Sequence, residues 1–141
     1  MKRTKIAKLA LTLIASLLFV QCAGNSNNRL HKELVRRAAE LNQSTPVVLD
    51  QHTRFDSVGV TKDNVFQYYY TIINTSNPQQ LISFQKKEML QQIDKIYATD
   101  RSLQFFVENS VIMEYIYRDT QQYVIDIIRI ETTNYKLNKQ N

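Results

Sequence analysis

The stretch "NVFQYYYTIIN", residues 64–74, decides how the rest of the chain is read. Aromatic and β-branched residues dominate it, and a period of two puts Phe66, Tyr68, Tyr70 and Ile72 on one face and Val65, Gln67, Tyr69, Thr71 and Ile73 on the other. That is a strand with one fully apolar side, so a sheet must form around it. Upstream, "PVVLDQHTRFDSVGV" at 46–60 reads as an extended segment opened by Pro46, and the intervening "TKD" predicts a hairpin. Downstream, "SVIMEYIYR" at 110–118 and "YVIDIIRI" at 123–130 flank "DTQQ" at 119–122, a second hairpin. If "DTQQ" is a four-residue turn, Arg118 faces Tyr123, Glu114 faces Ile127 and Asp126 faces Tyr115. Glu114 then lies diagonal to Arg129.

Between the hairpins "SNPQQ" carries the start signals of a helix: Asn77 as cap, Pro78 in the first position and Gln80 to complete a capping box. Leu81, Ile82, Met89, Leu90, Ile93, Ile96 and Tyr97 give that helix, 78–97, a broad apolar side. "DRSLQFFVEN" follows as a shorter helix or turn. Near the beginning, Leu30, Leu34, Ala38 and Leu41 recur at helical spacing over 29–41, with Asn28 placed to cap the helix and Arg29, Lys32, Arg36 and Arg37 outside its apolar stripe. Those four form a solvated flank or, alternatively, a contact with anionic headgroups. The predicted fold is α+β, in the order α-β-β-α-β-β. An antiparallel sheet of about four strands in two hairpins is covered by two main helices.

The first 21 residues are of a different kind. Lys2, Arg3, Lys5 and Lys8 precede the 12 apolar residues "LALTLIASLLFV", a basic region and then a hydrophobic one too short to span a bilayer comfortably. The run ends on "QCAGNSNN", and Cys22 is the only cysteine in 141 residues. "LLFVQC" resembles a bacterial lipoprotein signal, although Gln21 stands where Gly, Ala or Ser is usual and Phe19 where Leu is commoner. The resemblance implies cleavage before Cys22, a diacylglyceryl thioether on its sulfur, and, with Ala23 next, outer-membrane sorting. Two or more acyl chains hold a protein on a membrane durably where one does not. An ordinary cleaved signal or an uncleaved anchor are the alternatives. The division expected is 1–21 signal peptide, 22–28 lipidated tether and 29–141 one small domain.

Removing that leader changes the electrostatics. The formal charge of +5 falls to +1, because the 18 basic side chains drop to 14 against 13 acidic ones. A near-neutral domain lacks the footprint of a nucleic-acid binder, so no nucleic-acid partner is expected. With only Gly24 and Gly59 for glycines, phosphate-cradling loops are excluded, and a lone cysteine permits no internal disulfide.

Chemistry-bearing residues are sparse. Alternation in "DQHTRFD" puts Asp50, His52, Arg54 and Asp56 on one side of a strand, but one histidine and two carboxylates around an arginine make no metal-ligand set, and a mutually paired edge face is expected instead. Glu114 and Asp126 interrupt apolar strands, which would suit paired acid–base or glycoside chemistry if they shared a face. The four-residue turn points them to opposite faces, whereas an odd-numbered turn would bring them together. His31 and His52 are the only histidines, and no serine sits in a nucleophile elbow. Neither a cofactor nor a metal is expected. Tyr68, Tyr69 and Tyr70 either line a ligand groove or, more simply, build the core.

Pro46, Asp50, Thr53, Arg54, Asp56 and Val58, spaced P-x3-D-x2-T-R-x-D-x-V, together with "YTIIN" and the terminal hairpin, resemble a family of small exported bacterial proteins of uncharacterised function. The likeness covers about residues 30–131, and members often carry a glycine in the final turn, which "DTQQ" lacks. It implies a compact envelope domain with Asp50, Thr53, Arg54 and Asp56 as a shared structural or contact surface. The functional expectation is a non-enzymatic lipoprotein, anchored to the outer membrane through Cys22 and facing the periplasm, with an envelope protein as partner. A periplasmic enzyme acting on cell-wall material through carboxylates such as Glu114, Asp126 or Asp56, and a small-ligand binding module, are the alternatives.

Overall fold

The computed structural model describes residues 21–137, so the expected signal peptide lies outside the described residues apart from Gln21. The chain runs α1 (Gln21–Asn42), β1 (Val47–Val48), β2 (Thr53–Val60), β3 (Phe66–Ile72), α2 (Pro78–Thr99), a 3-10 turn (Arg101–Leu103), α3 (Gln104–Glu108), β4 (Ile112–Arg118), β5 (Val124–Glu131) and α4 (Thr133–Leu137). The class is α+β. The five strands lie side by side in chain order.

Both predicted hairpins form, but they join through a parallel pair, β3 with β4, so the sheet is mixed rather than all antiparallel. The cause is the single long helix between them. α2 carries the chain back along the sheet once, so β4 must start at the end where β3 started. Asn77 caps α2 as its sequence predicts: its Oδ1 accepts the Gln80 N–H at 3.1 Å, and its Nδ2 donates to the Gln80 side chain at 3.1 Å.

The segment 46–60 is not one strand. The Asp50 carboxylate accepts the His52 N–H at 2.8 Å, and the Leu49 N–H donates to the Thr53 carbonyl at 2.9 Å, which folds 49–52 into a turn. The strand left in front of it, β1, pairs only Val47 with Phe55 and Val48 with Arg54. Asn42, the last residue of α1, covers part of the β2 edge that β1 does not reach. Its Nδ2 donates to the Val58 carbonyl at 2.9 Å, and its Oδ1 accepts the Val58 N–H at 2.7 Å. One side-chain amide thereby replaces a missing strand partner.

α1 begins before the predicted cap, so 22–28 is helical and Asn28 lies inside the helix. Once Leu34 and Ala38 are buried against the sheet, the helix can propagate backwards through a segment that contains no proline. The His31 ring nitrogen Nδ1 lies 2.8 Å from the Asn64 side-chain oxygen, fastening the first half of α1 to the β2–β3 turn. Asn64 holds a left-handed φ of 62°, a conformation asparagine tolerates well.

The main hydrophobic cluster lies on one face of the sheet, while Ile116 and Thr71 are buried on the other. Phe66, Ile72, Met113, Ile128 and Ile130 meet Leu34 and Ala38 from α1, Ile82, Ile93 and Tyr97 from α2, and Phe106 and Val107 from α3. Of the basic flank of α1, Arg36 is bound to Glu33 and Glu40, while Arg37 pairs with Glu33 at 2.9 Å and lies 4.0 Å over the Phe105 ring. These two arginines are engaged within the protein. Hydrogen bonds and charge from the arginines pull the Glu33 carboxyl down to about 2.

The opposite face of the sheet is polar and networked. Glu114 accepts from Gln67 at 2.8 Å and from Arg129 at 2.5 Å, Tyr69 donates to Gln67 at 2.8 Å, and Arg118 lies 4.2 Å over the Tyr69 ring. Tyr69 lies against Gly59, where an added Cβ would meet its ring at 3.3 Å.

Candidate functional site

On the core side, between α2 and the sheet, a groove of about 510 Å³ opens to solvent. Its floor is Tyr70, Tyr115 and Tyr117, brought together because these positions of β3 and β4 share the inward face. The rings stack in series, Tyr70 on Tyr117 at 5.2 Å and Tyr68 on Tyr115 at 5.2 Å. One wall is the side of α2 that carries Ile82, Gln85, Glu88, Met89, Gln92, Ile93 and Ile96; the other is Leu49, Asp50 and Thr53 from the turn after β1. Leu49 is 56% exposed and Ile96 44%, so the apolar lining continues out onto the rim.

The hydroxyls are not equivalent. Tyr115 and Tyr97 share a hydrogen bond of 2.9 Å. Tyr117 is only 7% exposed, yet its hydroxyl has no hydrogen-bond partner among the described residues. Burial raises every one of these phenols: Tyr68 and Tyr117 are pushed up to about 12, and Tyr70, Tyr97 and Tyr115 are raised as well. All therefore remain neutral at physiological pH. The charged lining consists of Asp50 and Glu88, neither of which forms an ion pair among the described residues, and no Lys, Arg or His lines the groove.

The four residues of the D-x2-T-R-x-D motif divide between two surfaces. Asp50 and Thr53 form part of the groove wall. Arg54 and Asp56 are paired at 2.6 Å on the outer face, where the Thr71 hydroxyl donates to Asp56 at 2.5 Å. The predicted single row of Asp50, His52, Arg54 and Asp56 does not exist, because the turn at 49–52 and the bulge between Phe55 and Ser57 break the alternation. His52 instead lies 3.3 Å from the Ile73 carbonyl.

Glu114 and Asp126 do point to opposite faces. Glu114 stands directly opposite Arg129, and Asp126 opposite Tyr117, two residues from the expected register. The turn is longer than four residues, closed by the Asp119 N–H to the Tyr123 carbonyl at 2.9 Å, and a bulge follows. A two-residue slip preserves which face each side chain takes. Asp126 is paired to Lys86 of α2 at 2.7 Å. Gln122 holds φ at 71°, the conformation that a glycine in this turn would adopt freely.

Cys22 lies in the first turn of α1, at the end of the domain where α1 meets the β2–β3 turn. Tyr70 and Thr53 lie at the other ends of β3 and β2. No helix among the described residues is long and apolar enough to cross a membrane. Nor do three His, Cys, Asp or Glu side chains converge as a metal site among them. Of the floor, sequence periodicity identifies Tyr70 but not Tyr115 or Tyr117. Tyr69 lies on the outer face, and Gln85, Glu88 and Gln92 read as solvent-facing positions of α2.

Comparison with known proteins finds likenesses of fold among solved structures and one matching family model. No curated protein sequence matches the chain. Among solved structures, a protein from Pseudomonas aeruginosa described as secreted is similar with a TM-score of 0.65 at 12% identity, covering 74% of this chain and 91% of its own. The pilotin EpsS of the Vibrio vulnificus type 2 secretion system is similar with a TM-score of 0.56 at 12% identity, over 79% of this chain and 96% of its own. The type II secretion system pilotin AspS from Vibrio cholerae matches with a TM-score of 0.56 at 10% identity, over 78% and 95%. These likenesses are of fold. The model of a domain of unknown function, DUF8479, matches residues 29–125, and the chain belongs to that family.

Proposed function

We propose that this protein is a non-enzymatic lipoprotein, exported, acylated on Cys22 and held at the periplasmic face of the outer membrane, where it serves as an assembly or binding component comparable to a pilotin. The observation that carries the reading is an open groove on a fold shared with two pilotins over more than three quarters of the chain. The basic and apolar leader ending on Cys22 supports the anchor. The groove residues Thr53 and Tyr70 lie far along the sheet from the α1 start, which leaves the groove accessible to a partner when Cys22 is pinned to a bilayer. In place of acid–base chemistry, Glu114, Asp126 and Asp56 are each bound to a cation and are split between two faces of the sheet.

The test is photo-crosslinking in intact cells, with a benzophenone amino acid at Met89 in the groove and, separately, at Tyr69 on the outer face. Met89 is expected to capture one defined envelope protein that Tyr69 does not. No groove-specific product, or a hydrolytic activity abolished by Asp50→Asn, would overturn the reading. The volume and aromatic floor of the groove also suit a small-ligand binding module. In that case a low-molecular-weight compound would co-purify in the groove, and Met89 would capture no protein.

A further inference from the structure

We infer that the groove recognises an apolar segment of a partner protein through one cationic side chain, an arginine or lysine of that segment donating to Tyr117 and facing the carboxylates of Asp50 and Glu88. This rests on the assembly reading above and adds the chemistry of the occupant.

Three observations on the lining converge. First, its charges have one sign: Asp50 and Glu88 are present with no cation among the lining residues, so an anionic segment would be repelled and a cationic one drawn in. Secondly, Tyr117 lines the groove with only 7% of the residue exposed, and its hydroxyl makes no hydrogen bond to another described residue, so it offers an acceptor to a bound segment. An N–H of the bound segment can donate to it in place of water. Thirdly, apolar surface extends past the groove along both walls. Val48 and Leu49 are exposed on one side; on the other, Ile96 is exposed and Phe84, one turn before Glu88, is 78% exposed. A small cation would leave that surface uncovered, whereas a segment several residues long, apolar on both sides of its basic residue, would cover it.

The probes are octylguanidinium, octanol and octanoate, which share one apolar tail and differ in the charge of the head. Each is titrated into the full chain and into its Asp50→Asn/Glu88→Gln variant, with backbone amide NMR as the readout. Asparagine at 50 keeps the oxygen that accepts the His52 N–H, so the turn is retained. Octylguanidinium is expected to shift the Asp50, Tyr70, Glu88 and Tyr117 amides at about tenfold lower concentration than octanol, the worth of one charge-assisted contact, with octanoate weakest. In the variant that advantage falls to within about twofold. The inference is overturned if octanol or octanoate binds as tightly as octylguanidinium, if octylguanidinium shifts amides elsewhere, or if none of the three shifts the groove.

Sequencing the peptide captured at Met89 separates the two claims. A captured segment without Lys or Arg, alongside no guanidinium preference, overturns this inference and leaves the assembly reading standing. A guanidinium preference with no captured protein overturns the assembly reading and makes the occupant a small amphiphilic cation.

Discussion

Replacing Asn42 by alanine tests whether one side chain stands in for a missing strand. The asparagine makes two hydrogen bonds, at 2.9 and 2.7 Å, to the carbonyl and N–H of Val58. Each is worth about 0.5–1.5 kcal/mol when made, and more is lost when the partner left behind is hard to hydrate. Val58 is buried, so the expected loss lies toward the upper end, about 2–3 kcal/mol in total. For a domain of this size that corresponds to a fall in Tm of roughly 8–12 °C. Asn42→Asp sharpens the test, because it keeps the acceptor but sets a carboxylate oxygen against the Val58 carbonyl. Only the protonated acid can donate there, so the folded-state pKa of the introduced group is raised. Its stability contribution is therefore present at low pH and disappears as pH rises through that pKa. Urea denaturation followed by circular dichroism, with each variant compared with wild type at pH 4 and pH 7, reads both effects. An alanine variant within about 0.5 kcal/mol of wild type would refute the reasoning, since that is the range of inconsequential surface changes.

Gly59→Ala places a methyl 3.3 Å from Tyr69, and the ring must give by a few tenths of an ångström, a cost of about 1 kcal/mol that vanishes when Tyr69→Ala is already present. Six of the eight tyrosines have raised pKa values, chiefly through burial, so spectrophotometric titration near pH 11 should show far fewer than eight tyrosinates. Because these pKa values are raised, their contribution to stability is complete below about pH 10 and is lost as pH rises through 12, so the remaining tyrosines should ionise together with alkaline unfolding. Glu114→Gln and Asp126→Asn should each destabilise modestly and add independently, with a coupling under about 0.5 kcal/mol in a double-mutant cycle, since they sit on opposite faces of the sheet. A larger coupling would mean that the two carboxylates interact.

Local signals in the sequence were accurate where they depend on a few neighbouring residues. The cap at Asn77 and the two faces of 64–74 follow from spacing and appear in the structure. The opposed directions of Glu114 and Asp126, by contrast, follow from a four-residue turn and hold because a bulge offsets the extra residue between Arg118 and Val124. Chain direction was harder, although the clue was present: a single helix the length of α2 between adjacent strands forces them parallel. The turn at 49–52 hid in a stretch whose alternation imitates a strand, and only the Asp50 side chain bonding back to His52 betrays it. The groove was half legible. Tyr70 is visible as the inward side of a strand, but Tyr115 and Tyr117 join it only through the parallel pairing of β3 with β4, and Glu88 acquires meaning only through the distant turn that brings Asp50 to the same groove. The D-x2-T-R-x-D motif looked like one surface and serves two, because a bulge and a turn interrupt it.

The proposed anchor on Cys22 is most directly tested by feeding cells an alkyne-bearing fatty acid and following the label on this chain through membrane fractionation. The wild-type protein should carry the label and sediment with outer membranes, and Cys22→Ser should lose both the label and the sedimentation. An unlabelled wild-type chain, or a serine variant that fractionates with the outer membrane as before, would contradict the account.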